Sequence, residues 1–333
     1  MTKDAAPFLG SAKPTQRTIA RATGLAVTTV SKALAGDERI AEQTRRKVRK
    51  AALELGYVPD RAAQRLRTGK TNVISLVLDP HSELLGFGAS MIAGIAEVVR
   101  QTPYHLTIMQ YQLGEDPVAP IDYIVRNRLA DGLIFARTEP DDARVHFLRK
   151  ARFPFITHGR TNFDDHAWYD YDNRDFADRA VRMLARQGAT RIGLVPPSPA
   201  YTYHRFMMEG FDLAIAQEGL TGLLSPGFDL NDDADILHDK LRGWLLGDAP
   251  PDGLICPGEV SAMAAHAVLN DLGRDLPLVV KQTSSVFNYF RPRPMIIGED
   301  IVQAGRQITT ALIRLMAGET PRNLQILAPP YLP

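Results

Sequence analysis

The sequence predicts a small all-α module followed by a larger α/β region made of two doubly wound lobes. Three observations lead to this fold class. Residues 1–70 contain helix signals without strand signals, and from Asn72 onward short apolar runs alternate with amphipathic helical stretches. The chain also has 333 residues, more than twice the roughly 100 to 150 residues of one typical domain.

The first module reads as a series of short helices. Thr15 is a candidate N-cap for a helix over 16–23, and Gly24 permits the turn that ends it. Apolar residues at helical spacing predict a second helix over 27–35 and a third over 41–55. The second helix begins three residues after Gly24, a spacing typical of a DNA-binding helix-turn-helix.

The α/β region repeats one unit of strand and helix. Strands are predicted over 73–78, 105–111, 132–136, 153–157, 191–195, 253–256, 278–281 and 295–297. Helices are predicted over 89–101, 121–129, 175–187, 205–218, 260–272 and 301–316. Two successive sets of about four units indicate two similar lobes, with a ligand between them at the carboxyl ends of the strands.

Composition narrows the class of protein. Hydrophobic residues make up 45% and charged residues 23% of the chain, close to the average of globular proteins. The single cysteine, Cys256, excludes an internal disulfide, and the first twenty residues lack the apolar core of a signal peptide. No run approaches the roughly 18 apolar residues of a membrane span. We therefore expect a cytoplasmic protein with no membrane partner.

Charge is distributed unevenly between the two parts. Residues 1–70 hold 15 Lys and Arg against 6 Asp and Glu, a net charge of +9, whereas the remainder holds 24 against 32, a net charge of −8. Such a density of positive charge suits a polyanion, because each neutralised phosphate releases condensed counterions. A solvated basic face without a partner is the alternative interpretation. On the second helix Lys32, with Thr28, Thr29 and Ser31, favours the nucleic acid, and Arg39 follows close behind.

A longer pattern specifies the family. It runs TQRTIARATGLAVTTVSKAL from Thr15, TRRKV from Thr44, and LGYVPDRAAQRLRTG from Leu55 to Gly69. This segment resembles the N-terminus of LacI/GalR-type bacterial repressors. Looser motifs in the later region resemble that family's effector domain, namely Gly94-Ile95, Asp131-Gly132, Asp172-Asn173, Gly210-Phe211, and Asp300 followed by Gly305-Arg306. The resemblance implies an N-terminal all-α helix-turn-helix headpiece plus an α/β periplasmic-binding-protein-like domain of two doubly wound lobes.

The resemblance also implies domain limits. An N-terminal tail covers 1–14, the headpiece 15–59, and a hinge helix with linker 60–71. The two-lobed effector-binding and dimerisation domain covers 72–333. Its first lobe is expected to hold about 72–170 and 300–320, and its second about 171–299 and 321–333.

The DNA-binding roles follow residue by residue from the resemblance. Val27, Thr28 and Lys32 fall at base-reading positions of the recognition helix. Residues that grip phosphates, or support that grip, are Thr15, Thr29, Ser31, Arg39, Thr44 and Tyr57. In the hinge helix, small Ala63 permits close approach of a dimer mate, and Leu66 is the wedge for the minor groove. A plain linker is the other interpretation of that segment.

Some headpiece positions depart from the family pattern. Alanine stands at 26, 35 and 41, where the family usually has Ser, Asn and Ser, and Lys32 replaces Arg. Loss of a Ser N-cap costs about 1 kcal/mol of helix stability, so Ala26 and Ala41 predict less firmly capped helices. Val27 offers only apolar contact, as to a thymine methyl, which leaves Lys32 as the candidate for guanine O6 and N7.

No catalytic constellation emerges from the sequence, and neither a cofactor nor a metal site is expected. Gly86-Phe87-Gly88 follows the first strand as a dinucleotide fingerprint would, yet Met91 occupies the third glycine position. The chain has no GxxxxGK[ST], HExxH or GxSxG motif, and Cys256 lies in an apolar run. We therefore do not expect an enzyme.

The resemblance points instead to a small-molecule effector, commonly a sugar, between the lobes. Where the family often places Asp, Arg, Asn-Asp and Asp, this chain has Gly159, Met207, Gly258-Glu259 and Thr283. The resulting candidate set combines cations near strand ends, aromatic faces and polar positions. It comprises Phe87, Arg137, His158, Arg160, Tyr171, Asp172, Arg205, Phe228, Glu259, Thr283 and Glu299.

The expected ligand is an oligosaccharide or glycoside, with an anionic sugar as an option because of the three Arg residues. The leading hypothesis is thus a homodimeric, possibly higher oligomeric, repressor that binds double-stranded operator DNA under effector control. A sugar-binding transport protein and an α/β enzyme are the alternatives. The first would need export, and the second would need a catalytic constellation.

Overall fold

A computed structural model describes residues 14–58, 65, 68–78, 85–111 and 115–333. The chain divides into two compact units, residues 1–71 and residues 72–333. Across the residues that the structure describes, no helix is long and apolar enough to cross a membrane.

The first unit contains α1 (Gln16–Thr23), α2 (Val27–Leu34) and α3 (Glu42–Glu54), each within a residue of its predicted bounds. The Thr15 side chain caps α1 by accepting from the backbone N–H of Thr18, and Gly24 ends it with φ of 70°. Neither α2 nor α3 has a side-chain cap, as the alanines at their N-caps predict. The three helices share a core of Ile19, Ala20, Val30, Ala33, Val48 and Ala52.

The first lobe of the second unit is a parallel sheet covered by helices. Its strands are β1 (Val73–Leu78), β2 (His105–Gln110), β3 (Gly132–Ala136), β4 (Phe155–His158), β5 (Ala167–Tyr171) and β11 (Gln325–Ala328). Its helices are α4 (Phe87–Val99), α5 (Ala119–Arg126), α6 (Ala143–Ala151) and α11 (Ile301–Met316). The strand order is β11-β5-β4-β3-β1-β2. Central β3 is buried along its whole length because helices cover both faces.

The second lobe repeats this arrangement. Its strands are β6 (Arg191–Leu194), β7 (Thr221–Leu224), β8 (Gly253–Cys256), β9 (Leu278–Gln282) and β10 (Met295–Gly298). Its helices are α7 (Asn173–Arg186), α8 (Thr202–Glu218), α9 (Ala234–Leu246) and α10 (Glu259–Asp271). The order β10-β9-β8-β6-β7 is that of the first lobe without β11, so the two lobes have the same winding.

The sequence analysis did not predict β5, β7, β11, α6 or α9. Short strands with polar or glycine positions lack the continuous apolar run on which the other strands were predicted. The assignment of 321–333 to the second lobe also requires correction. β11 pairs in parallel with β5, from Gln325 opposite Trp168 to Ala328 opposite Tyr171, so this segment extends the first sheet. Only the local sequence was visible beforehand, whereas this pairing joins distant segments.

The chain passes between the lobes at three neighbouring places, after β5, β10 and β11. There the backbone N–H of Asp172 donates to Ala328 O at 2.9 Å, and Gly298 pairs with Tyr331 in an antiparallel bridge. The Tyr171 hydroxyl donates to Gly298 O at 3.4 Å. These contacts connect the lobes on one side of the carboxyl ends of both sheets.

Glycines set the closest helix contacts in each lobe. A Cβ on Gly94 of α4 would lie 2.1 Å from Val302 O of α11, and one on Gly305 would lie 2.6 Å from Met91 O. In the second lobe, a Cβ on Gly210 of α8 would lie 2.2 Å from Arg174 O of α7. The loose glycine motifs of the sequence therefore serve backbone packing rather than ligand contact.

Candidate functional site

The face of α2 that points away from the helical core carries the predicted base-reading residues. Val27 is 41% exposed, and Thr28 and Lys32 are exposed as well. Val30 and Ala33 on the opposite face are buried in the core. An apolar contact surface, a hydroxyl and an ammonium group are thus accessible together on one helix, which is the chemistry of base-edge recognition.

The predicted phosphate contacts differ in their surroundings. Thr15 is exposed, Thr29, Ser31 and Thr44 are half-buried, and Tyr57 packs on the helical core. Ala63 and Leu66 lie outside the described residues.

Arg39 is the most altered of these candidates. Its guanidinium donates to Asp37 at 2.9 and 2.7 Å. The hydrogen bonds from Arg39 lower the pKa of Asp37 to about 2. A phosphate would therefore have to compete with this carboxylate for Arg39, whereas Lys32 has no acid pair among the described ion pairs.

A cavity of about 60 Å³ lies between the carboxyl ends of the two sheets. Both lobes line it, through Phe87, Ala136, Arg137, Thr138, His158, Gly159, Asp170, Tyr171, Asn173, Tyr203, Met207, Leu230, Pro257, Lys281 and Glu299. Parallel α/β sheets bind ligands at this edge because the loops after the strands converge there.

A buried ion pair with aromatic neighbours forms one wall of this cavity. Lys281 Nζ lies 2.5 Å from Glu299 Oε2, and His158 Nε2 lies 3.2 Å from Glu299 Oε1. Lys281 also sits 4.2 Å from the centre of the Tyr171 ring, and Phe87 meets His158 edge-on. Burial alone would raise the pKa of Glu299, but Lys281 and His158 outweigh it and hold that pKa below its ordinary value.

A second buried acid pairs with a cation at the cavity edge. Arg160 Nε donates to Asp170 Oδ2 at 2.6 Å. Arg160 also stacks on Phe206 of α8, with 3.7 Å from its guanidinium carbon to the ring centre. Burial raises the pKa of Asp170 to about 6 against the opposing effect of Arg160.

This raised pKa predicts a pH dependence of stability. Unfolded Asp170 loses its proton near pH 3.8, whereas in the fold the carboxyl keeps it until about pH 6. Stability should therefore fall as the pH rises from about 4 to 6, by roughly 3 kcal/mol, and Asp170→Asn should remove this loss. Urea unfolding followed by tryptophan fluorescence measures it, because both tryptophans, Trp168 and Trp244, lie in the second unit.

The exposed Asp248→Asn is the matched control, since it makes the same chemical change at the surface. Comparing each variant with the unmodified protein cancels other titrating groups such as Glu299. Parallel stability curves for the Asp170 variant and the unmodified protein would contradict the prediction.

The lobes are joined across the cleft by direct hydrogen bonds. Thr202 N–H of α8 donates to Thr138 O at 2.9 Å. Arg137 donates to Asn231, and its guanidinium lies 4.3 Å from the centre of the Tyr201 ring. The cleft walls are therefore held against each other by backbone and side-chain contacts.

Five of the predicted effector residues line the cavity. These are Phe87, Arg137, His158, Tyr171 and Glu299. They lie at the ends of β3, β4, β5 and β10 or at the start of α4, the positions at which the sequence analysis placed a ligand.

The other acidic and hydroxyl candidates have structural partners instead. Asp172 caps α7 by accepting from Asp175 N–H at 3.0 Å. The buried Glu259 carboxylate accepts from the N–H groups of Thr283, Ser284 and Leu85. Because Leu85 belongs to the first lobe, Glu259 links the lobes rather than lining the cavity.

The remaining cationic and aromatic candidates also lie off the cavity. Arg160 is held by Asp170, and Arg205 is exposed and donates to Asn162 at 3.2 Å. Phe228 packs in the core of the second lobe against Trp244. Their positions were predicted from strand ends, but the direction of each side chain depends on tertiary packing.

Sequence reasoning missed several lining residues. They include Thr138, Asp170, Asn173, Tyr203 and Lys281. Lys281 carried a usable signal, since a lysine inside an otherwise apolar strand must have a partner when buried. Asn173 belonged to a noted motif, although only its neighbour Asp172 was taken as a ligand candidate.

Several buried polar atoms around the cleft lack a hydrogen-bond partner within the described part of the chain. They are Asn173 Oδ1 after β5, Thr202 Oγ1 at the start of α8, and Gln282 Oε1 and Thr283 Oγ1 at the end of β9. Buried polar atoms in proteins are nearly always paired, with protein, water or ligand. All four can accept hydrogen bonds, so this edge suits a molecule that offers donors.

Comparison with known proteins gives two family matches. Residues 15–60 match the model "Bacterial regulatory proteins, lacI family", and residues 181–332 match a periplasmic binding protein-like domain. The HTH-type transcriptional regulator RafR of Escherichia coli is 30% identical over 332 residues, covering 93% of this chain and 94% of the relative. The chain belongs to the LacI family. AglR of Rhizobium meliloti (strain 1021), another LacI-family relative, is 30% identical over 279 residues, covering 78% of this chain and 75% of AglR.

Solved structures share this LacI-family fold. The lac repressor dimer bound to operator and the anti-inducer ONPF matches with a TM-score of 0.79 and 18% identity, over 96% of this chain and 98% of that one. A complex of the regulator CelR with cellobiose matches with a TM-score of 0.70 and 20% identity, over 96% and 98%. The predicted fold class and family are confirmed, and this LacI-family chain is a transcriptional regulator rather than an enzyme.

Proposed function

We propose that the protein is a repressor that binds a near-palindromic operator as a homodimer, and that a neutral saccharide in the cleft controls its operator affinity. The exposed face of α2, with Val27, Thr28 and Lys32, reads the bases. One short helix contacts few bases, so two copies related by a two-fold axis supply the specificity.

The observation that carries the effector assignment is the set of buried, unpartnered acceptors at the cleft edge. Asn173 Oδ1 and Gln282 Oε1 are amide oxygens, and Thr202 and Thr283 carry hydroxyls that can also accept. A saccharide presents many hydroxyl donors, and the rings of Phe87 and Tyr203 can receive its apolar faces.

The charges of the cleft favour a neutral over an anionic saccharide. Lys281 is matched by Glu299, and Arg160 by Asp170. Arg205 lies outside the cavity, so of the three arginines that suggested an anionic ligand only Arg137 lines it. A carboxylate ligand would have to displace Glu299 or Asp170 from its cation.

The relatives are consistent with both parts of the proposal. The CelR structure is described as a complex with cellobiose, and the lac repressor structure as a dimer bound to operator. The same fold is thus known with a disaccharide and with operator DNA.

Lys32 provides the test of operator recognition. We expect Lys32→Ala to weaken binding to a near-palindromic duplex from upstream of the protein's own gene by about 1–3 kcal/mol, because a base contact is lost. Gel-shift titrations over a salt series measure this affinity and its salt slope. Lys150→Ala, an exposed lysine at the end of α6 in the other unit, is the matched control.

The proposed operator recognition would be refuted by equal affinity for random DNA at moderate salt, or by equal losses in both variants. Effector control is tested by measuring operator affinity with and without saccharide, and saccharide affinity with and without operator. Because the two equilibria are linked, both ratios must be the same factor, typically about 5- to 150-fold. Unequal ratios, or none above unity, would refute control through the cleft.

A further inference from the structure

A second, wider groove lies on the second lobe at the carboxyl ends of β6 and β7. It has a volume of about 500 Å³. Pro196, Pro197, Pro199 and Phe228 supply its apolar surface. The sequence analysis took Phe228 as a ligand of the interlobe cavity, whereas the structure places it between the core and this groove.

The groove and the interlobe cavity are neighbours separated by a thin wall. Leu230 lines the cavity, and the next residue, Asn231, lines the groove. From the first lobe, Arg137 reaches across the cleft, donates to Asn231 and stacks on Tyr201. The wall therefore consists of side chains, which can rotate without unfolding either lobe.

Arg137 is held in an unusual backbone conformation. Its φ of 53° lies in the left-handed region, which costs a non-glycine residue free energy. The residue is also 8% exposed, a low value for arginine. Strain of this kind persists where the surrounding structure fixes a side chain for use, and here it directs a guanidinium to the junction of cavity and groove.

The cavity alone is too small for a sugar. A cavity of about 150 Å³ accommodates benzene, and a pyranose is larger than benzene, whereas this cavity measures about 60 Å³. A bound pyranose must therefore extend beyond it, and the groove begins on the other side of the Arg137–Asn231 contact. The groove adds several times the volume of the cavity in the same direction.

The carboxylates of the groove are preorganised. Asp229 Oδ1 accepts from Asn231 N–H at 2.7 Å, and Asp232 Oδ2 accepts from Asp229 N–H at 3.0 Å. Lys240 Nζ lies 3.4 Å from Asp232 Oδ1. Carboxylates beside apolar proline faces suit a sugar ring, whose hydroxyls donate to the acids while its C–H face packs on the prolines.

We propose that this groove is an outer subsite for a second sugar unit, so that the effector is a neutral disaccharide or longer saccharide. One unit occupies the interlobe cavity, the next lies on Pro196, Pro197 and Phe228 near Asp229 and Asp232, and Arg137 contacts the linkage between them. The inference rests on the proposed function, because it assigns the length of the ligand of the same cleft.

The test compares saccharide length in the full-length protein. Isothermal titration calorimetry is run with glucose and galactose, and with neutral di- and trisaccharides built from them through α and β linkages. We expect at least one disaccharide to bind about tenfold or more tightly than either monosaccharide. Asp229→Asn and Asp232→Asn should each weaken that disaccharide about fivefold without changing monosaccharide affinity, because a charge-assisted hydrogen bond becomes neutral.

Asp248→Asn, an exposed acid outside the groove, is the control and should change neither affinity. The outer subsite is refuted if a monosaccharide binds as tightly as every longer sugar, or if the groove variants weaken all sugars equally. If no saccharide of the panel binds while operator binding is intact, the saccharide assignment itself fails, and the outer subsite with it.

Discussion

Replacing Gly94 by alanine is expected to destabilise the second unit by about 3 kcal/mol or more. The new Cβ would stand 2.1 Å from Val302 O and 3.0 Å from Arg306 N. Both are backbone atoms of α11, so no flexible side chain can move aside, and the two helices must separate. Because α4 begins at cavity-lining Phe87, separation should also weaken effector binding. Thermal unfolding and urea unfolding measure the loss.

Gly243 provides a matched control for this substitution. It lies in helix α9, and a Cβ there would meet no atom within 4 Å. Gly243→Ala should therefore stabilise the protein by roughly 0.5–1 kcal/mol, because alanine loses less conformational entropy in a helix. If both alanine variants shifted stability equally, the close contact between α4 and α11 would not be the cause.

Breaking the buried ion pair between Lys281 and Glu299 is expected to have an effect of similar size. Lys281→Met removes the cation but leaves Glu299, of which 3% is exposed, as an uncompensated buried charge beside His158. Such a loss typically costs about 3–5 kcal/mol. The remaining carboxylate should also take up a proton at higher pH, since Lys281 is the main group that lowers its pKa.

The double variant Lys281→Met with Glu299→Gln separates burial from pairing. Both charges are then absent, so we expect most of the stability to return. Arg322→Met is the control at the surface, where the pair with Asp164 is exposed on both sides and should contribute less than about 1 kcal/mol. Unfolding free energies of the four proteins measure the coupling, and a double variant as unstable as Lys281→Met alone would contradict this account.

Effector recognition should respond differently from stability in that double variant. Glu299 lines the cavity and can accept from a sugar hydroxyl once His158 or Lys281 shifts. The restored fold should therefore bind saccharide more weakly than the unmodified protein, which calorimetry on the same samples detects.

Local sequence signals predicted the helical unit almost completely. The Thr15 cap, the Gly24 turn and the apolar stripe through Val30 and Ala33 act within one or two helical turns. Interactions over so few residues are visible in the sequence itself. The absent caps at Ala26 and Ala41 were predicted for the same reason.

The cleft was predicted only in part. Strand ends indicated where the ligand edge lies, and Arg137, His158 and Glu299 were found there. Arg205 and Glu259 stand at equally suggestive positions in the sequence, yet one faces Asn162 and the other accepts hydrogen bonds from three backbone N–H groups. Whether a polar side chain serves a ligand or the protein depends on which partners packing brings within hydrogen-bond distance.

By itself the sequence determined the family, the basic helical unit and the alternation that makes two parallel sheets, because these depend on periodicity, capping and composition. Only the tertiary structure decided that β11 completes the first sheet, that Lys281 meets Glu299, and that Arg137 stands between the cavity and the outer groove. Each of these joins segments far apart in the chain. Their free energy arises from burial and from pairing of groups whose proximity no local pattern records.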